Sequence, residues 1–437
     1  MTRSLRALHC TLALVALVVP AAVRAQDTTY RGITLNGVYD PTRDKWPIAV
    51  LPVSGAFGDS VSAIIQRDLD FSDRFTLVTL ENDPTILRGA NGTGLNYPML
   101  KRLGAVAAVQ ITPVATGLHV VLHDVAKAQV VNVGDMPLPS AGLSRDWRMA
   151  VHRVSDEVTR WVTGQRGIAA TRIAYMRSSA IRIIDSDGVD EITVPTEQNG
   201  YSPAWSPNGS MIVYNTYGSV GSRLVMLDLS TGRSRTLATA PRNTQYITPV
   251  FSPNGNTVVF SRSGENGSDL YSVDVNGGAP RRITSLRGTE NTNPAPSPDG
   301  SHYVFVSGQL GHPELYITDA DGSNVHVLTD FDFSDKNFRS DPDWSPDGRT
   351  IAYQERTNDR FQIRTILVSG STPKYKTSEG ENEQPSWAPD ARHLVFTSTR
   401  TGVRQLWVLD TESGRLRQLT KSAGSKLASW SARLPAP

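Results

Sequence analysis

The 437-residue chain has a single cysteine, Cys10, which lies ahead of a short apolar run near the N-terminus. A lipid-modified cysteine follows such a run at the cleavage site, and a disulfide needs a second thiol, so the sequence offers neither anchor nor bridge. The apolar run itself, Leu12 to Val19, falls well short of the roughly 20 residues that span a bilayer. Excess charge of either sign is missing as well. The formal net charge is +2, and Arg3, Arg6 and Arg24 all precede Gln26, which leaves the remainder close to neutral. That balance excludes the basic field of a nucleic-acid binder and the polybasic tract of a lipid-surface protein. No Gly-x-Ser-x-Gly nucleophile elbow occurs. The densest glycine stretch, Gly89-Ala90-Asn91-Gly92-Thr93-Gly94, lacks the Gly-Lys-Ser/Thr ending and following helix of a phosphate cradle and reads as a surface loop.

What is present begins with a leader. Arg3 and Arg6, the apolar run and the small residues of Val23-Arg24-Ala25 predict a signal peptide over 1–25, cleaved after Ala25, and hence an exported protein. Residues 26–43 read as an arm with one weak strand, Tyr30 to Leu35. From 44 to 167 the pattern is mixed. Ile48 to Gly55 reads as a strand, and the following segment, with Asp59 or Ser60 as N-cap, places Val61, Ile64, Ile65 and Leu69 on one helical face. The stretches FTLVTL and AVAAVQITPV supply further strands, while GLHVVLHDV and AQVVNVGDMPL suggest a hairpin. Trp147, Val151, Val154, Val158, Trp161 and Val162 mark one face of a long helix that stops at Gly164. An α/β domain accounts for this segment.

From Thr171 the texture changes to short strands and glycine-containing turns. The stretch SPAWSPNG returns as TPVFSPNG, NPAPSPDG, DPDWSPDG and QPSWAPDA, aligned on Trp205, Phe251, Pro296, Trp344 and Trp387. A period of about 45 residues with four strands per unit predicts a β-propeller. Each unit reads as a first strand ending at the aromatic, a Ser-Pro-Asx-Gly turn, a second strand, a third ending in an acidic turn such as Asp228 to Gly232, and a fourth ending near a Thr or Ser. Trp430 begins one further unit, whereas Thr171 to Thr196 holds three strands lacking a first. Joined, they give six blades over 171–437, with the C-terminal strand completing the first blade and closing the ring.

Two constellations invite chemistry. Asp185-Ser186-Asp187-Gly188-Val189-Asp190 is superficially a calcium loop, but it lacks the glutamate at loop position 12 and reads as a hairpin turn. His119 and His123 lie four apart on an expected strand, without a third ligand nearby, and read as packed or solvated side chains. The remaining possibility is binding. The stretches leading into the first strands are Asn199 to Tyr201, Gln245 to Thr248, Asn291 to Asn293, Arg339 to Asp341, Asn382 to Gln384 and Lys426 to Leu427. They read as loops around one mouth of the channel, polar and different in each blade, while the repeated turns lie on the opposite mouth.

With its arm, DLDFSDRF, the junction AVHRVSDEVTRWVTGQRGIAATRIAYM and the repeats closed by ASWSA, the chain resembles the TolB family, periplasmic propeller proteins of the Tol-Pal system in Gram-negative bacteria. It departs from the pattern at Pro296, where an aromatic is expected, and at Ala391, where a turn glycine is expected. The resemblance implies a non-enzymatic periplasmic adaptor; the chain is expected to be monomeric, to carry no cofactor or metal site and to insert into no membrane. It implies that the propeller mouth binds the peptidoglycan-associated lipoprotein, Pal, with candidate contacts at Tyr201, Gln245, Tyr246, Asn291, Thr292, Asn293, Arg339, Asn382 and Glu383. Among these, Tyr246 and Thr292 match the family's pattern. It further implies TolA binding through the arm, with candidates Tyr30, Arg31, Ile33, Leu35 and Val38, and a role in outer-membrane integrity and cell division. The competing class is an exported enzyme or a propeller whose channel binds a peptide or sugar.

Overall fold

The computed structural model describes residues 45–435, apart from 81–87, 90–93, 197–198, 220, 286–289, 330–337 and 358. The leader, the arm with Tyr30, Arg31, Ile33, Leu35 and Val38, and most of the glycine-rich stretch lie outside the described residues.

The first unit runs β1 (Trp46–Val50), α1 (Gly58–Phe71), β2 (Phe75–Leu77), α2 (Tyr97–Arg102), β3 (Ala107–Val114), β4 (Gly117–Asp124), β5 (Gln129–Pro137) and α3 (Arg145–Thr163). The five strands form one sheet in the order β2-β1-β3-β4-β5. β1 runs parallel to both its neighbours, and β3 to β5 form an antiparallel meander. α1 and α3 lay the apolar faces expected from their spacing onto one side of the sheet, burying Ile65, Leu69, Val151, Val154 and Val158 completely. α3 opens on Ser144, whose hydroxyl accepts from the Trp147 N–H, and stops at Gly164 in the left-handed region (φ 77°), as its sequence predicts.

Three details differ from the expectation. α1 starts earlier than Asp59 or Ser60, after Phe57, which makes no side-chain cap, so Asp59 lies inside the first turn, where its charge complements the helix dipole. The first strand ends at Val50, because Pro52 removes a ladder donor. α2, with no apolar periodicity to announce it, is built instead from an Asn96 cap that accepts from Met99 N–H and from Pro98 in the first turn.

Six four-stranded sheets follow, and one of them is composite. Lys426–Trp430 pairs with Arg172–Arg177, bringing Trp430 opposite Ile173, and so closes the ring. Counting this as blade 1, blades 2 to 6 begin at Gly200, Thr244, Asn291, Phe338 and Asn382. The turns form as their residues require. In blade 2 the Ser206 hydroxyl donates to Asn208 Oδ1 (2.7 Å), which also accepts from Ser210 N–H (3.1 Å), and Gly209 takes φ 69°. Ala391 occupies the glycine position in blade 6 at φ 56°, accepting a strain glycine would avoid. Between blades, each second strand buries one ring completely: Tyr175, Tyr214, Phe260, Phe305, Tyr353 and Phe396. The repeated tryptophans also stitch neighbours, with Trp205 Nε1 donating to Ser429 O (3.0 Å) and Trp387 Nε1 to Asp343 O (3.2 Å).

Candidate functional site: the two faces of the ring

The six stretches expected as loops belong almost entirely to the first strands themselves, which begin at or before Gly200, Thr244, Asn291, Phe338, Asn382 and Lys426. This corrects the loop reading and sorts the candidates by strand alternation, since successive side chains face opposite ways. Five positions before the aromatic the row is Gly200, Tyr246, Asn291, Arg339, Asn382 and Ser425, and it is buried in every blade.

Four of the nine candidates, Tyr246, Asn291, Arg339 and Asn382, therefore sit between blades rather than at a free surface. Asn291 Nδ2 donates to Asp269 Oδ1 (3.2 Å) and Asn382 Nδ2 to Gln362 Oε1 (2.9 Å), each reaching the third strand of the preceding blade. Arg339 does the same with a charge, binding Glu314 and donating through Nε to Glu355 Oε2 (2.9 Å). A threonine just past each fourth strand completes the clasp: Thr284 donates to Asp269, Thr329 to Glu314 and Thr377 to Gln362. Tyr246 packs edge-on against Phe260, with ring centroids 4.6 Å apart.

One residue further on, the row is Tyr201, Ile247, Thr292, Ser340, Glu383 and Lys426, half-buried except for buried Ser340. Every blade presents a different side chain here. Tyr201 leans on Tyr217 (centroids 5.3 Å apart), and Arg404 Nε donates to Glu383 (3.1 Å). Gln245 is exposed beside this row. Ile247 and Lys426 lie inside the stretches expected at the mouth but not among the candidate contacts, and the strand alternation adds both to the row.

The next row carries a device that the sequence reading missed. Ser202, Thr248, Asn293, Asp341, Gln384 and Leu427 all have φ between 46° and 56°. Proline follows in five of the six blades, and the ladder shifts register at this point in every one. An innermost strand would otherwise turn a line of backbone donors into the channel. The bulge bends it away, and proline deletes a donor. The channel cavity inside this ring is small, about 150 Å³. Asp341 and Asp343 sit in its wall, and burial pushes each up to about 6; Asn293 Nδ2 donates to Asp341 Oδ1 (2.7 Å).

The α/β unit docks on the opposite face, against the turns of blades 1 and 6. Asp185 to Asp190 does form a turn, with Val189 N–H donating to Asp187 Oδ1 (3.0 Å). Its carboxylates meet arginines: Arg148 Nη2 lies 2.9 Å from Asp187 Oδ2, Arg67 binds the same oxygen, and Arg172 Nε lies 3.0 Å from Asp185 Oδ1. His152, fully buried, is 2.8 Å from Asp68 and 3.7 Å from Asp187. In blade 6 the departure at Ala391 leads directly into Arg392 and His393. His393 is fully buried between Asp390 (2.7 Å) and Asp73 of the α/β unit (3.3 Å). Burial works against its charge, but the two carboxylates prevail and push it up to about 9. The groupings Asp68–His152–Asp187 and Asp73–His393–Asp410 have metal-ligand composition, yet Arg67, Arg148, Arg392 and Arg415 already bind their carboxylates. Their chemistry is that of an ion-pair seam. On the meander, His119 pairs with Asp135 (2.7 Å), and His123 Nδ1 lies 2.9 Å from the Tyr97 hydroxyl.

The family model of the TolB beta propeller domain matches residues 160–434. Curated proteins named Tol-Pal system protein TolB are similar to this chain. That of Methylococcus capsulatus is 30% identical over 210 residues, covering 45% of this chain and 48% of its own. That of Escherichia fergusonii is 31% identical over 229 residues, covering 48% and 51%. The chain thus spans about half the length of the curated relatives it matches. The solved TolB of Acinetobacter baumannii is similar over 90% of this chain and 98% of its own, at 25% identity and a TM-score of 0.76. A six-bladed ring closed by its last strand, an α/β unit seated on one face and a family match over more than half the sequence lead to one conclusion: the chain belongs to the TolB family.

Proposed function

We propose that the protein is a non-enzymatic periplasmic adaptor of the Tol-Pal system that binds Pal at the ring face opposite the α/β unit and TolA through residues 26–43. The observation that carries this reading is the half-buried row at that mouth. The neighbouring rows are committed to the fold, one buried against the preceding blade and the other bent into the bulge, while this row offers an aromatic, an aliphatic, a hydroxyl, an acid and a base in turn, a pattern suited to one asymmetric protein surface. The contact set becomes Tyr201, Ile247, Thr292, Glu383 and Lys426 of that row, with Gln245 beside it. For the arm, Tyr30, Arg31, Ile33, Leu35 and Val38 lie in a segment suited to strand addition, in which main-chain hydrogen bonds supply affinity. Such an adaptor would support outer-membrane integrity and constriction at division. Thr292→Arg is expected to weaken Pal capture at least tenfold with an unchanged melting temperature, and deletion of residues 26–39 to abolish TolA capture. Undiminished Pal capture by the arginine variant would remove the mouth from the proposal.

A further inference from the structure

A cavity of about 680 Å³ lies where α3, the segment after β5 and the C-terminal segment meet, far from the mouth row. Its size falls in the range of small-molecule sites, as does its character of an apolar wall with a few convergent polar groups. Met136, Leu138 and Leu434 provide the apolar side, and two guanidinium groups, Arg153 and Arg433, border it. Arg153 Nη2 donates to the Pro435 carbonyl (2.5 Å), while its Nε is buried with no acceptor. Arg433 holds the junction backbone, donating to the Gly167 and Arg166 carbonyls at 2.8 Å each.

Among the described residues, neither guanidinium has a carboxylate at ion-pair distance; their hydrogen bonds go to backbone carbonyls. Two acids border the same cavity. Glu157 is engaged by Arg160 and Arg166. Asp156 accepts from the Ala169 and Ala170 N–H groups (2.7 and 3.0 Å), and burial pushes it up to about 7, so it is a weak counter-charge. A half-buried cationic rim beside an apolar wall suits a negative head on an apolar body, because these guanidinium groups meet only neutral carbonyls and a carboxylate or phosphate is the stronger acceptor.

We propose that this cavity binds an anionic amphiphile, with an alkyl or acyl chain along Met136, Leu138 and Leu434 and a carboxylate or phosphate head on Arg153 and Arg433. Calorimetric titration of the leaderless chain with decanoate and decyl phosphate, against decanol and decylammonium, tests it and distinguishes the two head groups. One or both anions are expected to bind at least tenfold more tightly than the uncharged and cationic analogues. Lengthening the chain from eight to ten carbons should strengthen binding roughly fifteenfold, since each buried methylene contributes about fourfold. Arg153→Gln should weaken the anions about tenfold, and Leu138→Trp, which fills the apolar side, should abolish binding of every analogue. Melting curves identify the variants that remain folded. Absence of anion binding at millimolar concentration, equal affinity for decylammonium, or wild-type affinity in both folded variants would overturn the proposal.

Discussion

His393 is a charged side chain with no access to water, and that places a condition on the pH at which the protein is most stable. Its carboxylate neighbours Asp390 and Asp73 come from the propeller and the α/β unit. Asp73 resists ionisation by its burial, but His393, Arg415 and Lys45 hold it well below the usual carboxylate range. Because the folded protein raises the histidine from 6.5 to about 9, folding takes up a proton. The stabilisation is complete below pH 6.5, declines above it and is gone once pH has risen past about 9. The unfolding free energy from urea titrations between pH 6 and 10 should fall across that window by on the order of 3 kcal/mol, and the slope should flatten in His393→Asn. A parallel slope in the variant would assign the effect to another group. The sequence reading had no access to this residue's role: Asp73 and His393 lie 320 positions apart, and nothing local in Asp-Ala-Arg-His announces a partner. Only the loss of the turn glycine at Ala391 marked the blade as different.

At the scale of the strand, position relative to the repeating aromatic decides what a polar side chain does. Asn291, Arg339 and Asn382 read as recognition residues because the stretches that hold them are polar and differ from blade to blade. They occupy strand positions, and period-2 alternation turns them toward the preceding blade, where Asp269, Glu314 and Gln362 wait. The aromatic spacing was readable from the sequence, and with it the order of strands. The clasp was not, because its acceptor and donor belong to different repeats. Asn382→Ala should leave the Gln362 amide oxygen with one donor fewer and lower stability by about 1–3 kcal/mol, read as a shift in the urea midpoint. Thr292→Arg, one row over, should cost under about 0.5 kcal/mol. If the two variants were equally destabilised, the division between structural and recognition rows would fail.

The molecule as a whole is a ring held shut by one short strand and keyed to a second unit by charge. Its period, blade number and mode of closure followed from the sequence because repetition is a local signal summed many times. The seating of the α/β unit did not, because it rests on pairs such as Arg415 with Asp70 and Asp73, drawn from distant stretches of chain. Trp430 sits at the closure, buried, with its indole N–H 2.8 Å from the Thr171 hydroxyl. Trp430→Ala removes that bond and opens a cavity between the ends of the ring, and should cost about 3–5 kcal/mol. Hydrogen exchange should then show the strands of blade 1 losing protection before those of blades 3 and 4. Uniform loss around the ring would mean that the six blades unfold as one and that closure has no separate energy.

That single strand also sets an order of events. Lys426–Trp430 pairs with a strand made more than two hundred residues earlier, so no earlier stage of synthesis can complete the circle. Until that strand is made, the growing array keeps two bare sheet edges and remains an open arc. Bringing such distant partners together is slow, since the chain must lose the entropy of closing the loop before any strand pairing offsets it. A protein built this way carries its own delay: the ring locks only once its closing strand has been made.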